Sequence, residues 1–126
     1  MLLTKNARLA VQLAGIGKDH SVLILCDSDR WIEGQALAAE VLAVGARPML
    51  VDLTPEANQY YNEFKRPQLS APLVAAMHAT NYTLAATDNE FAHMIGHTDE
   101  NRSAQNKGMR WVSIEDYMWT WNSSME

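Results

Sequence analysis

SVLILCDSDRWIEGQALAAEVLAVGARPMLVD, residues 21–52, reads as strand, polar loop, Ala-rich helix, glycine stop and strand. Val22 to Cys26 is a short continuous apolar run, and so is Met49-Leu50-Val51. Runs of this kind mark strands buried on both faces, which belong to parallel sheets covered by helices. A strand, a crossover helix and a second apolar strand predict a right-handed βαβ unit. Each run ends in an acid, Asp27 and Asp52. In an open α/β sheet the carboxyl ends of the strands are where ligands bind.

Working outward, residues 4–14 read as a helix, with Leu3, just before it, and Ala7, Ala10, Val11 and Ala14 recurring at spacings of three and four to make one apolar face. Thr4 is the expected N-cap, and Gly15 and Gly17 the stop. In the helix predicted over 31–44, Ile32, Ala36, Ala39 and Ala43 share a face with Leu42 beside it, and Gly45 ends it. Gly34 and the alanines permit close packing on a sheet. Residues 53–69 read as polar and irregular between Pro55 and Pro67, with a helical turn around Tyr60, Tyr61 and Phe64. Ser70 caps a third helix whose Leu73, Val74 and Met77 face inward. Residues 82–86 form a third strand. A polar loop and a short helix around 99–107 lead to a fourth strand over 110–114. The expected fold is a three-layer α/β domain, Rossmann-like, with a mainly parallel sheet of about four strands and strand one central.

Length and composition narrow the function classes. The chain has 126 residues, one domain of ordinary size, with 48% hydrophobic and 20% charged residues. Net charge is −5, and Lys and Arg are scattered, which argues against nucleic acid or an anionic membrane as partner. The N-terminus lacks the pattern of a signal peptide, and no apolar run approaches the ~20 residues of a membrane span. Cys26, the single cysteine, has no internal disulfide partner, which fits a reducing cytoplasm.

Candidate chemistry is sparse. Asp27, Ser28 and Asp29 form a polar loop that either holds a ligand or caps the second helix. Two acids there disfavour phosphate, and no glycine-rich nucleotide motif is present. Asp52 stands where a dinucleotide enzyme keeps its ribose-binding acid, and is equally a turn former. His93 and His97, four apart with Glu90, Asp99 and Glu100 nearby, have the spacing of a helical metal pair. Gly96 interrupts that segment, however, and the sequence is not H-E-x-x-H, so a loop with hydrogen-bonded histidines stands beside the metal reading. His20 and His78 receive no role. The aromatic segment Tyr117-Met118-Trp119-Thr120-Trp121 either docks on the sheet or covers a surface meant for a partner.

Three segments together carry a resemblance: VLILCD…GQALAAEVLAVGARPMLVD (22–52), APLVAAMHATNYTLAAT (71–87) and HTDENRSAQNKGMRWVSI (97–114). They resemble the N-terminal domain of the aminopeptidase T-like (thermophilic metallopeptidase) family, which includes the 2,5-dihydroxypyridine 5,6-dioxygenases. The resemblance implies the N-terminal half of a two-domain, metal-dependent enzyme. It implies that iron or another divalent metal is held by a second domain, which this sequence is expected to lack. None is expected in this chain alone, which by itself is expected to be inactive. It also implies a homo-oligomer or partner domain and a small-molecule substrate. In the dioxygenase branch a late histidine approaches the substrate, and His97 matches it as acid or base toward a ring hydroxyl. His93, Thr98, Arg102 and Asp27 are the residues expected to bind or orient substrate. His97, Trp111 and the other aromatics tilt the reading toward a ring-cleaving dioxygenase over an aminopeptidase. A binding or assembly module, and a small nucleotide-binding domain using Asp27, Asp29 and Asp52, stand as alternatives.

Overall fold

The computed structural model describes residues 2–59, 69–87 and 89–114. Helix α1 (Leu2–Ala14) leads to β1 (Ser21–Cys26), a 3-10 turn (Ser28–Arg30), α2 (Trp31–Ala43) and β2 (Arg47–Asp52). Then come α3 (Thr54–Gln59), α4 (Ala71–Ala79), β3 (Tyr82–Ala85), α5 (Asn89–Gly96), α6 (Asp99–Asn106) and β4 (Arg110–Ser113). The four strands form one sheet in the order β2-β1-β3-β4, and every pairing is parallel. Ser21 registers with Arg47, and Val22 with Tyr82. Helices lie on both faces, so the fold is the expected three-layer, Rossmann-like α/β domain with β1 inside the sheet.

The alternation along β1 sets the two cores. Val22, Ile24 and Cys26 point to one side, where they meet Ala7 and Val11 of α1 and Leu37 and Val41 of α2. Leu23 and Leu25 point to the other, against Leu73 and Met77 of α4 and Phe91 and Ile95 of α5. Both faces of β1 are therefore buried, as the apolar run predicts. Across α1 and α2 the Arg8 guanidinium forks onto the Glu40 carboxylate, with Nε–Oε2 at 3.3 Å and the second contact at 3.4 Å.

Four expectations need correction. First, β2 is not buried on both faces. It is an edge strand, and Met49 is 50% exposed. Second, α2 turns a different face inward: Gly34, Leu37 and Val41 are buried, whereas Ile32 is 65% and Leu42 62% exposed. The helix is apolar nearly all round, so spacing alone selects no face. The two large side chains that stack with Gly34 decide it. Third, α1 begins at Leu2, which puts Thr4 inside the helix rather than at its cap. Fourth, residues 54–59 and 89–96 are helical, where polar irregular chain was expected.

The third helix is capped as predicted: Ser70 Oγ accepts from the Leu73 N–H at 3.4 Å. The turn expected around Tyr60, Tyr61 and Phe64, and the aromatic segment 117–121, lie outside the described residues. No helix among those described is long and apolar enough to cross a membrane.

Candidate functional site

Two separate places hold the candidate side chains. The first is the carboxyl rim of the sheet. The chain leaves β1 toward α2 on one face and leaves β3 toward α5 on the other, so the crevice of the fold opens between these two strands. Asp27 follows β1 and Thr87 follows the end of β3. The Thr87 hydroxyl donates to Asp27 Oδ2 at 3.1 Å and closes this crevice from strand end to strand end. Thr87 is almost fully buried. Asp27 precedes the 3-10 turn without a side-chain capping bond, and Arg30 stands at the N-cap of α2. The capping role weighed for the Asp27-Ser28-Asp29 loop is thus absent, and Asp27 joins the two loops instead.

Beside it lies a second knot of hydrogen bonds. Asp52 Oδ1 accepts from the Thr54 N–H at 2.9 Å and from the Thr54 hydroxyl at 2.6 Å. Ser28 Oγ donates to Asp52 Oδ2 at 3.3 Å, and the Ser28 N–H donates to Thr54 Oγ1 at 2.8 Å. The Thr54 hydroxyl and then its N–H hold the Asp52 carboxyl below its ordinary value; burial opposes them, and the Ser28 hydroxyl adds the smallest lowering effect. Both oxygens of Asp52 are engaged within the loop. Its geometry is that of a turn former stapling the ends of β1 and β2, not of an acid held open for a ribose.

Just below the rim, Cys26 is buried at the end of β1. Burial first, then the charges of Asp52, Asp27 and Glu33, push its thiol up to about 12. A thiol held so firmly protonated is a poor nucleophile.

The second place is the α5–α6 turn. His93 stands in the last turn of α5, and His97 follows the helix. Their rings meet edge to face with centroids 4.4 Å apart, and both side chains are exposed. Thr98 is the N-cap of α6: its hydroxyl accepts from the Asn101 N–H at 3.2 Å and donates to the Ile95 carbonyl at 2.8 Å. Arg102 lies one turn on and is exposed. The structure thus brings His93, His97, Thr98 and Arg102 onto one short stretch of surface.

Asp27 is not part of that stretch. Helix α5 starts at the carboxyl end of β3 and runs back along the sheet for about 12 Å. Its last residue, Gly96, sits against the indole of Trp111, whose register partner is Thr83 near the start of β3. The histidines therefore lie toward the amino ends of the strands, and Asp27 at the carboxyl ends.

The other two histidines are occupied. His20 Nδ1 accepts from the Gly17 N–H at 3.0 Å. His78 bridges the Val74 carbonyl and the Ser103 hydroxyl, at 3.0 and 3.2 Å.

Sequence reasoning missed Thr87 and Thr54. Thr87 carried a usable signal, since it follows β3 as Asp27 follows β1. Thr54 carried a local signal for its bonds to Asp52, two residues back, and none for Ser28, which reaches it only once β1 and β2 are paired.

Comparison with known proteins returns no family model, no curated protein and no solved structure that matches this chain.

Proposed function

We propose that this chain is a domain or subunit of a metal-dependent enzyme acting on a small hydroxylated N-heterocycle, with His97 exchanging a proton with a ring hydroxyl. The fold agrees with the resemblance on which this reading rests. The observation that carries it is the exposed pair of His93 and His97, whose rings touch and whose nitrogens bond to no described residue. An imidazole can take or give a proton near neutral pH, and a neighbouring ring restricts the orientation from which it does so. Arg102, on the following helix, offers a cation to an anionic phenolate-type oxygen. Thr98 contributes by fixing the turn between the two helices, since its hydroxyl is committed to the cap.

The metal implied by the resemblance does not fit the described residues. No three His, Cys, Asp or Glu side chains among them come together as ligands, and a protein metal centre takes at least three protein donors as a rule. In this reading the metal belongs to another domain or partner, and supplies Lewis-acid or redox chemistry there. This chain's part is to bind and orient the substrate and to move a proton at His97.

The test is an NMR titration of the chain with 2,5-dihydroxypyridine and, separately, with a dipeptide. The expected result is a shift of the His93 and His97 ring signals with the hydroxypyridine only, weakened about tenfold or more in His97→Gln, the loss of one charge-assisted contact. Shifts with the dipeptide alone move the reading to the aminopeptidase branch. Shifts with neither remove the site.

A further inference from the structure

A groove of about 500 Å³ lies between α1 and β4. Ala10, Leu13 and Ala14 form its helical wall, and Arg110, Val112 and Ile114 its strand wall. Val112 and Ile114 pack on the α1 side of the sheet, and strand alternation puts Arg110 on the same side. A space of this size takes a small organic molecule. Its ends are fixed by Tyr82, whose hydroxyl donates to the Gly15 carbonyl at 3.3 Å and whose register partner is Arg110. The end of α1 and the start of β4 therefore meet at one end of the groove. Toward the other end α1 runs back to its own first turns, and β4 runs on to Ile114.

Two polar groups bracket the apolar stretch between. Arg110 is exposed at the Gly15 end and makes no ion pair or side-chain hydrogen bond among the described residues. Asn6 stands toward the other end. Asn6, Ala10 and Leu13 follow at spacings of four and three, so Asn6 faces as the groove-lining pair does, one turn beyond Ala10. It is 2% exposed, and neither the nitrogen nor the oxygen of its amide has a hydrogen-bond partner among the described residues. A buried amide left unpaired is costly and calls for a partner. From Ala14 to Asn6 the helix covers about 12 Å, and from Arg110 to Ile114 the strand covers about 13 Å. The free cation and the orphaned amide are thus set apart by the length of the groove.

We infer that this groove binds a small carboxylate with an unbranched apolar body and a terminal hydroxyl, its carboxylate on Arg110 and its hydroxyl at Asn6. A planar guanidinium matches a carboxylate in a two-bond fork. Arg110 is the one charged side chain among the described residues that line the groove, so it balances a monoanion and not a dianion. Ala10, Leu13, Val112 and Ile114 offer the body of the ligand apolar contact only. A hydroxyl both donates and accepts, as the oxygen and the nitrogen of an amide require. The inference is independent of the role given to His97.

The test titrates the full chain with ω-hydroxydecanoate, whose extended length is close to that of the groove, and with decanoate and decanediol. The methyl NMR signals of Leu13 and Val112 report binding. The expected result is saturable shifts of both residues with ω-hydroxydecanoate, with binding about tenfold weaker for decanediol and in Arg110→Gln. Decanoate binds severalfold more weakly than its ω-hydroxy form. Arg110 is exposed, so its substitution leaves the core intact. Asn6→Leu, which exchanges the orphaned amide for an apolar side chain of similar size, removes the preference for the ω-hydroxy acid and keeps decanoate binding. Absent or unsaturable shifts at Leu13 and Val112 overturn the inference. So does equal affinity for the acid and the diol, which marks unspecific apolar adsorption, and so does indifference to Arg110→Gln. Equal affinity of the native chain for decanoate and ω-hydroxydecanoate overturns the ligand class.

Discussion

At the scale of the residue, the junction of β1 and α2 shows how one position constrains several others. A Cβ on Gly34 would come within 2.8 Å of both Cys26 Sγ and Leu50 Cδ1. Glycine at 34 is therefore what lets α2 lie flat on β1 and β2, and what seals the Cys26 thiol. That seal makes a prediction. The thiol, raised from 9.0 to about 12 by burial and the nearby acids, should resist an aromatic disulfide reagent at pH 8 in the native protein and react at once in denaturant. Rapid native labelling would show that the end of β1 opens readily. The linkage has a definite sign. A folded-state pKa above the unfolded one means that the native protein retains the proton longer. The contribution is complete below about pH 9 and is lost as pH rises toward 12. The close approach at Gly34 was legible in the sequence as a glycine facing an apolar run. The Asp27–Thr87 contact was not, because it joins residues sixty positions apart that meet only through the β1–β3 register.

At the scale of the element, what could be read depended on how one-sided each helix is. Helix α1 has its apolar residues on one stripe, and Ala7, Ala10 and Val11 are buried as their spacing requires. Helix α2 has apolar residues on every side, so its inward face was set by Leu37 and Val41, the large side chains that stack with Gly34. Helix α5 was hidden because its polar residues, Asn89, Glu90 and His93, resemble loop chain, while its buried residues, Phe91, Ala92 and Ile95, are few. The short helix that follows was legible over 99–107, but its cap at Thr98 was not. Thr98 caps α6 and bonds back to α5, so it holds the turn that presents His97. Thr98→Ala should cost about 1 kcal/mol, seen as a lower urea midpoint at unchanged slope. Thr98→Ser should restore most of it. A substrate-orienting role for the hydroxyl alone would instead leave stability untouched and change only the hydroxypyridine titration.

At the scale of the whole molecule, the sheet order separates strands by how much must open to expose them. β1 and β3 are flanked by strands on both sides and by a core on each face, and every residue from Val22 to Cys26 and from Tyr82 to Ala86 is buried. β2 borders β1 alone, and its residues alternate toward solvent. Freeing a β1 or β3 amide requires both cores to separate, which amounts to unfolding the domain. Freeing a β2 amide requires only that one edge peel away with Leu50 and Val51. Native-state hydrogen exchange should therefore place the Leu23–Leu25 and Thr83–Leu84 amides at the global unfolding free energy, with a steep dependence on urea. The β2 amides should exchange through smaller openings with a shallow dependence. Equal protection of β2 would mean that its open edge is covered in solution. Because Met49 is half exposed on that edge, concentration-dependent protection there would identify the cover as a second copy and give the expected homo-oligomer a location on the fold.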